Sequence, residues 1–191
     1  MSEPRILVLA GSARKNSLNS VLARAVEQIL ITRGVEVTLL EAGEVDLPLY
    51  HGDEEEEQGL PPDAVRIKRL FREHKGLVFC SPEYNSSVTP FLKNLIDWVS
   101  RPEEGQEPMA EFTGKIAALL AASPGRLGAM RSLVHLRDIL GNIGVLVIPD
   151  ERGIGSAHKA FDENGQWVDE RARDGVTRVV ESLVGVVKKL S

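Results

Sequence analysis

Short apolar runs alternate with amphipathic segments along the whole chain. The runs predict strands, because stretches of about four to eight apolar or alternating residues are typical of buried sheets. Strands are predicted at 5–10, 35–39, 77–80, 116–122 and 145–148, with Pro149 ending the last one. Apolar residues at helical spacing predict helices at 18–33, 62–74, 90–101, 127–141 and 169–189.

Regular alternation of strands and helices predicts a parallel sheet covered on both faces. The second strand, Val35–Leu39, alternates apolar and polar residues, which indicates an edge position. We therefore expect an α/β, flavodoxin-like three-layer sandwich of strand order 2-1-3-4-5, formed as one domain over 1–191. Open parallel sheets bind ligands beyond the strands' carboxyl ends where the strand order reverses. That position brings the loops 11–17 and 81–88 together.

Residues 41–61 show no clear periodicity and contain the acidic run Asp53-Glu54-Glu55-Glu56-Glu57. Such a run is most often solvated, and we predict a mobile loop. The alternative is a substrate or partner loop at the mouth of the site.

The first loop, Gly11–Asn19, has the composition of a phosphate site. Free N–H groups and a partial positive charge at a helix N-terminus attract anions. Arg14 can make a bidentate, charge-assisted contact. Ser12 and Ser17 can donate hydroxyl hydrogens, and Asn19 lies near enough in the first turn to fold back. The alternative is an ordinary capped helix with exposed polar residues.

Other phosphate-binding motifs are absent from the sequence. No GxGxxG follows the first strand, so the common dinucleotide fingerprint is missing, and no GxxxxGK[ST] is present. A phospho-receiver domain needs an acidic residue at the end of strand 3, whereas this strand ends Phe79-Cys80-Ser81.

The second loop, Ser81–Ser87, is stiffened by Pro82 and offers backbone groups at 83–86 to the edge of a flat heterocycle. Tyr84 can pack against a ring. Glu83 is either a general acid or base, or a structural or interface carboxylate.

The third loop, Ser123-Pro124-Gly125-Arg126-Leu127-Gly128, follows strand 4. Its glycines let the backbone approach a ligand closely, or they form a tight strand-to-helix turn. Cys80 is interpreted as a small buried hydrophobic residue rather than as a nucleophile.

Composition excludes several classes of protein. The net charge of −5 argues against nonspecific nucleic-acid binding. A single cysteine excludes an intrachain disulfide and a cysteine-rich metal site, and it fits a cytoplasmic protein. The four histidines lack ligand spacing, so no metal is assigned. We expect no secretory leader and no membrane span, because no apolar stretch reaches about 18 residues.

The pattern Gly11-Ser12-x-Arg14-x-x-Ser17-x-Asn19, together with Pro82-Glu83-Tyr84-Asn85, resembles the NAD(P)H-dependent FMN reductase family. This family includes small bacterial quinone, chromate and azo-dye reductases. The segment 92–98 and Ser123-Pro124-Gly125-x-x-Gly128 also look like the family, and the likeness covers roughly residues 5–150.

The resemblance implies FMN as cofactor and a role for each motif. The phosphate would be bound by Ser12, Arg14, Ser17 and Asn19; the ribityl chain and isoalloxazine by Pro82, Glu83, Tyr84, Asn85 and Ser86; and the other side of the pocket would be lined by Ser123, Gly125 and Gly128. No side chain is assigned as catalytic. The sequence departs from the family at Val88–Phe91, where small residues are common, and this puts the substrate range in doubt.

The resemblance also implies hydride transfer from NADPH or NADH through FMN to quinones or similar small-molecule acceptors, including chromate, azo compounds, free flavin and ferric complexes. The alternatives are a non-catalytic flavodoxin-type electron carrier and a flavin-binding regulatory protein. A homodimer or homotetramer is expected by resemblance. The helix 87–101 is the candidate interface, with Trp98 either at the interface or in the core.

Overall fold

A computed structural model of the chain describes residues 4–103 and 105–190. Its strands are β1 (Arg5–Ala10), β2 (Glu36–Leu40), β3 (Gly76–Cys80), β4 (Ile116–Ala122) and β5 (Leu146–Ile154). They form one parallel sheet of order β2-β1-β3-β4-β5. The predicted fold class and strand order are confirmed.

Helices cover both faces of this sheet. They are α1 (Leu18–Thr32), α2 (Gly52–Gln58), α3 (Pro62–Glu73), α4 (Pro90–Val99), α5 (Met130–Asn142) and α6 (Glu170–Leu190), with 3₁₀ turns at Ala42–Glu44 and Ala157–Lys159. Helices α1 and α6 pack on one face, while α3, α4 and α5 pack on the other. None of the helices within the described residues combines the length and apolarity that a membrane crossing needs.

Two apolar cores result from the alternation of side chains along the central strands. Ile6 and Val8 of β1 face α1 and α6, whereas Leu7 and Leu9 face the other helical layer. All residues of β3 and β4 are buried, as expected for parallel strands covered on both faces. Strand β2 lies at the edge of the sheet, as its alternating sequence predicts.

Pro149 does not end β5, so this boundary prediction was wrong. The strand continues to Ile154 because its pairing with β4 is irregular at the proline. Val147 pairs with Ala117, but the next pair joins Glu151 to Leu119. Residues 148–150 therefore lie in a bulge on an edge strand, where a proline removes no ladder hydrogen bond.

The acidic run 53–57 forms helix α2, so the prediction of a loop there was wrong. Glu55 accepts hydrogen bonds from the Tyr50 hydroxyl, at 2.9 Å, and from the Arg101 guanidinium, at 2.9 Å. Carboxylates in a first helical turn also interact favourably with the helix dipole. These tertiary contacts fix one carboxylate of the run, while the other four remain exposed.

A buried ion pair anchors the connection between α4 and β4. The Lys68 ammonium lies 2.9 Å from the Glu111 carboxylate, and both side chains are almost fully buried. Lys68 also donates to the carbonyl oxygens of Val99 and Arg101. The two charges neutralise each other, so the pair is stable when buried. It holds the connection between α4 and β4 against α3, at the end of the sheet opposite the strands' carboxyl termini.

Candidate active site

The loops after β1 and β3 begin side by side. Ala10 pairs with Cys80 at the carboxyl ends of the two strands, and the Gly11 N–H donates to the Cys80 carbonyl at 2.9 Å. A Cβ at Gly11 would lie 3.1 Å from Leu92 and 3.2 Å from the Cys80 oxygen, so glycine allows this close approach. The Thr89 hydroxyl, which caps α4, donates to the Gly11 carbonyl at 2.6 Å.

Two serine hydroxyls organise the first loop. Ser17 is the N-cap of α1, and its Oγ accepts the Asn19 N–H at 3.2 Å. The buried Ser12 Oγ accepts the Arg14 N–H at 3.3 Å. Because both hydroxyls already accept a backbone hydrogen, each keeps its own proton for an outside acceptor.

Two cationic side chains of the first loop have no partner among the described residues. Arg14 and Lys15 are exposed, and neither side chain makes a hydrogen bond or ion pair to any residue that the structure describes. Most other arginines of the described chain bind a carboxylate, as Arg24 does with Glu41. The loop therefore carries free positive charge at the N-terminus of α1.

Asn19 is bonded to the end of β4. Its Nδ2 donates to the Ala122 carbonyl at 2.8 Å, and its Oδ1 accepts the Ala122 N–H at 2.9 Å. The residue is only 2% exposed. The side chain thus joins α1 to the sheet and keeps at most one amide hydrogen for any other partner.

The second loop contains a tight turn. Tyr84 and Ser87 exchange both backbone hydrogen bonds at 3.0 Å, and the central residues Asn85 and Ser86 have φ values of 50° and 66°. This is the geometry of a type I′ turn, which favours asparagine and glycine. The Tyr84 side chain is 42% exposed above the turn.

The Glu83 carboxylate binds the start of α5. Its carboxylate accepts the Arg131 backbone N–H at 3.2 Å and lies 2.6 Å from the Arg131 guanidinium. His135, one turn along α5, reaches the Ser87 hydroxyl at 3.0 Å. Of the two interpretations of Glu83, these contacts favour the structural carboxylate, which ties the second loop to α5.

The third loop packs against the end of β5. Ser123 Oγ accepts the Gly125 N–H at 3.1 Å, and the Ser123 N–H donates to the Ile154 carbonyl. A Cβ at Gly128, which has a φ of 61°, would lie 2.7 Å from a backbone atom of Gly153. Glycine at 128 is therefore required for backbone contact with β5.

Two further glycines in this contact were missed by sequence reasoning. A Cβ at Gly153 would clash with the Gly128 carbonyl oxygen, and one at Gly155 would clash with the Arg126 carbonyl oxygen. The spacing Gly-x-Gly at the end of a strand is a signal of close backbone approach, but it gives no information about the partner segment.

Cys80 and Trp98 are core residues. Burial raises the pKa of the Cys80 thiol well above its ordinary range, so the thiol stays protonated and is no nucleophile. Trp98 is 1% exposed, donates its Nε1 hydrogen to the Pro48 carbonyl at 2.8 Å and packs edge-on against Tyr50. Core packing is confirmed for Trp98, and its alternative place at an interface was wrong.

Comparison with known proteins decides the family. The family model described as NADPH-dependent FMN reductase matches residues 4–159. The chain belongs to this family. An NAD(P)H-dependent FMN reductase of Pseudomonas aeruginosa is 37% identical over 188 residues, covering 97% of this chain and 96% of the relative. The quinone reductase of Escherichia coli K12 is 34% identical over 180 residues, with coverage of 93% and 92%.

A solved structure supports the assignment to this FMN reductase family. The flavoenzyme NAD(P)H:(acceptor) oxidoreductase FerB from Paracoccus denitrificans superposes with a TM-score of 0.82 at 28% identity, covering 97% of this chain and 98% of its own. The chain is therefore an enzyme that uses FMN with a reduced nicotinamide cofactor.

Proposed function

We propose that this enzyme transfers hydride from NADPH or NADH to quinones through an FMN held by the three loops. The placement of FMN is supported mainly by two cationic side chains, Arg14 and Lys15, which have no partner among the described residues. They belong to the first loop, which is hydrogen-bonded to β3 and lies beside the Tyr84–Ser87 turn. Quinone as acceptor is supported by relatives named quinone reductase at 34% identity.

The phosphate of FMN fits the first loop. Ser12 and Ser17 each retain a hydroxyl proton to donate, and Arg14 supplies a free guanidinium. Phosphate oxygens accept such charge-assisted hydrogen bonds well. Asn19 contributes mainly by fixing the first turn of α1 to Ala122, and one amide hydrogen is left for the phosphate.

The ribityl chain and ring fit the second loop. In the type I′ turn the N–H groups of Asn85 and Ser86 donate to no backbone carbonyl of residues 4–103 and 105–190, so they can donate to heterocycle oxygens or nitrogens. The exposed Tyr84 offers apolar surface to the ring, the buried Pro82 stiffens the loop beneath it, and Glu83 fixes the loop to α5. We assign these residues to orientation of the ring and not to proton transfer.

The third loop forms the far wall of the site. Ser123 and Gly125 lie at its exposed corner, and Gly128 holds the loop on β5. When bound, FMN supplies the hydride chemistry at its ring. The chain's own residues bind the phosphate, orient the ring and leave one ring face open to the nicotinamide and then to the acceptor.

The proposal includes electron acceptors other than quinones. Chromate, azo compounds, free flavin and ferric complexes are small oxidants that an open ring face admits. Val88 and Phe91, which are half-buried where the family often has small residues, narrow the range of acceptors beside the second loop.

Steady-state turnover of the FMN-loaded protein tests the activity. Each nicotinamide is mixed with a benzoquinone, with chromate and with oxygen, and nicotinamide oxidation is compared with acceptor reduction. We expect quinone reduction in one-to-one stoichiometry with nicotinamide oxidation. FMN binding without nicotinamide oxidation for any acceptor would contradict the enzyme and support the electron-carrier or regulatory alternative.

Self-association as a homodimer or homotetramer is part of the proposal. Leu127, Met130 and Val134 are exposed apolar residues at and beyond the start of α5, and Glu83 and Ser87 bind the same helix. A subunit contact here would enclose the second loop. Light scattering after gel filtration tests it, and a concentration-independent monomer would contradict it. A cytoplasmic location is proposed from the single buried thiol.

A further inference from the structure

A cavity of about 590 Å³ lies between α1 and the hairpin 161–167, which precedes α6. Phe161 pairs with Trp167 at the base of this hairpin, and the Asp162 carboxylate accepts two backbone N–H groups of its turn. The volume lies within the range of about 300–1,000 Å³ that small-molecule sites occupy. The first loop contributes Asn16 to the lining, and none of the residues assigned above to FMN is among those that line the cavity.

The floor of the cavity is apolar. Val21, Ala25 and Ile29 are spaced four residues apart, so they share one face of α1. On the side of the hairpin, the lining includes the indole of Trp167, whose ring centroid lies 4.3 Å from that of Phe161. Aliphatic side chains on one wall and an indole on the other suit a flat, apolar molecule.

The indole N–H of Trp167 lacks an acceptor. Its Nε1 atom is buried and makes no hydrogen bond to any residue that the structure describes. Trp98, in contrast, donates its Nε1 hydrogen to the Pro48 carbonyl, as a buried indole normally does. Because an unpaired buried donor is unfavourable, an occupant that brings an oxygen acceptor is stabilised by pairing with it.

The hairpin can yield to admit such an acceptor. Within residues 4–103 and 105–190, no hydrogen bond joins the hairpin 161–167 to α1. The two elements meet through van der Waals contact, since a Cβ at Gly165 would lie 3.4 Å from a methyl carbon of Val21. A small outward shift of the hairpin therefore exposes the Trp167 nitrogen to the cavity without breaking a hydrogen bond to the helix.

Charge at the rim disfavours an anionic occupant. The hairpin contributes the carboxylates of Asp162 and Glu163, whereas the one cation of the lining, Arg24, is paired with Glu41 at 2.8 Å. The other polar side chains of the lining are uncharged. Phosphates and carboxylates are therefore repelled, which excludes FMN and the nicotinamide coenzymes, and a neutral molecule is favoured.

We propose that this cavity binds a neutral, flat aromatic molecule that carries a ring carbonyl. A naphthoquinone has this chemistry, because its fused rings match the apolar floor and its carbonyl oxygen accepts the Trp167 N–H. The site is a binding site and takes no part in electron transfer. The inference does not depend on quinone reductase activity, since it concerns binding to the oxidised protein.

Indole N–H resonances report on this site directly, because the chain contains two tryptophans. The oxidised, FMN-loaded protein, labelled with ¹⁵N, is titrated with menadione in the absence of nicotinamide, and Trp167→Phe assigns the two signals. We expect the Trp167 signal to move downfield and saturate as its N–H gains an acceptor. The Trp98 signal should stay in place, since its N–H is already bonded to Pro48. Absence of a shift, or an equal shift of both signals, would overturn the site.

A variant that fills the cavity tests its location. Gln28→Phe places a ring in the cavity from an exposed position of α1, and Ile31→Phe is the matched control at an exposed position of the same helix outside the lining. We expect Gln28→Phe to weaken menadione binding, measured at the Trp167 signal, about tenfold or more at unchanged Tm. The control should bind as the wild type does. Equal affinities of the two variants would place the ligand elsewhere and overturn the proposal.

A charged analogue tests the chemistry of the ligand. A naphthoquinone sulfonate has the same rings and carbonyls with an added negative charge, and it should bind about tenfold more weakly than menadione because of Asp162 and Glu163. Equal affinity would overturn the preference for a neutral ligand. A shift of the Trp167 signal with protein concentration, in the absence of menadione, would show that a second copy of the chain covers the cavity and would overturn the small-molecule site.

Discussion

The side-chain amide of Asn19 forms two hydrogen bonds with the backbone of Ala122, which ties the first turn of α1 to the carboxyl end of β4. Asn19→Leu would leave a buried N–H and a buried carbonyl unsatisfied. We expect a loss of about 2–4 kcal/mol in the free energy of unfolding and weaker FMN binding. Urea unfolding and flavin titration measure both, with the exposed Asn164→Leu as control. An unchanged midpoint would contradict this role for Asn19.

Gly128→Ala tests the contact between the third loop and β5. The new Cβ would lie within 2.7–2.9 Å of backbone atoms at Gly153, Ile154 and Gly155, in a residue with a φ of 61°. We expect a loss of about 3 kcal/mol or more. Gly141→Ala is the control, because its Cβ meets nothing within 4 Å in a helix, and it should not destabilise. Equal stability of the two variants would show that the close approach is absent.

Glu83→Gln separates a structural from a chemical role. The glutamine keeps an acceptor for the Arg131 N–H but loses the ion pair with its guanidinium. We expect a modest loss of stability and no change in the pH profile of kcat. The pH dependence of quinone reduction from pH 5 to 9 is the measurement. Loss of an ionisation from that profile would restore Glu83 as a general acid or base.

Lys115 gives the chain a pH-dependent stability. Burial, together with the nearby Lys75 charge, lowers the pKa of its ammonium to about 8. The folded state therefore binds fewer protons than the unfolded state from about pH 8 to the ordinary lysine pKa near 10.5. The free energy of unfolding should therefore rise with pH across this window, because the unfolded state keeps the proton that the folded state has lost.

The comparison is between wild type and Lys115→Met in urea at pH 7.5, 9 and 10.5. The rise should be present in the wild type and in the exposed control Lys188→Met, and reduced in Lys115→Met. A parallel rise in all three proteins would refute the assignment to Lys115.

The sheet could be predicted from the sequence because its determinants are local. Uninterrupted apolar runs identify β3 and β4, and the alternation at 35–39 identifies an edge strand. The extension of β5 past Pro149 depends on a bulge opposite β4, and helix α2 depends on Tyr50 and Arg101 meeting Glu55. Both depend on tertiary contacts that the local sequence does not specify.

Part of the candidate site was predictable for the same reason. The positions of strand-end loops follow from local rules and strand order, so the neighbouring loops after β1 and β3 were predicted correctly. The hydrogen bonds of Asn19 with Ala122 and of Glu83 with Arg131 join residues that are distant in sequence. The resemblance assigns both side chains to FMN, and the local sequence does not specify the structural partners that they also have.

The most direct test of the central proposal is FMN affinity after Arg14→Ala. Arg14 is an exposed guanidinium without a partner among the described residues, so its removal should not unfold the chain. Arg69→Ala, which removes an exposed arginine from α3, is the control. The Arg14 variant should bind FMN about tenfold more weakly or worse, equivalent to about 1.4 kcal/mol, at unchanged Tm. FMN affinity equal to that of wild type and of Arg69→Ala would contradict the placement of the phosphate at the first loop.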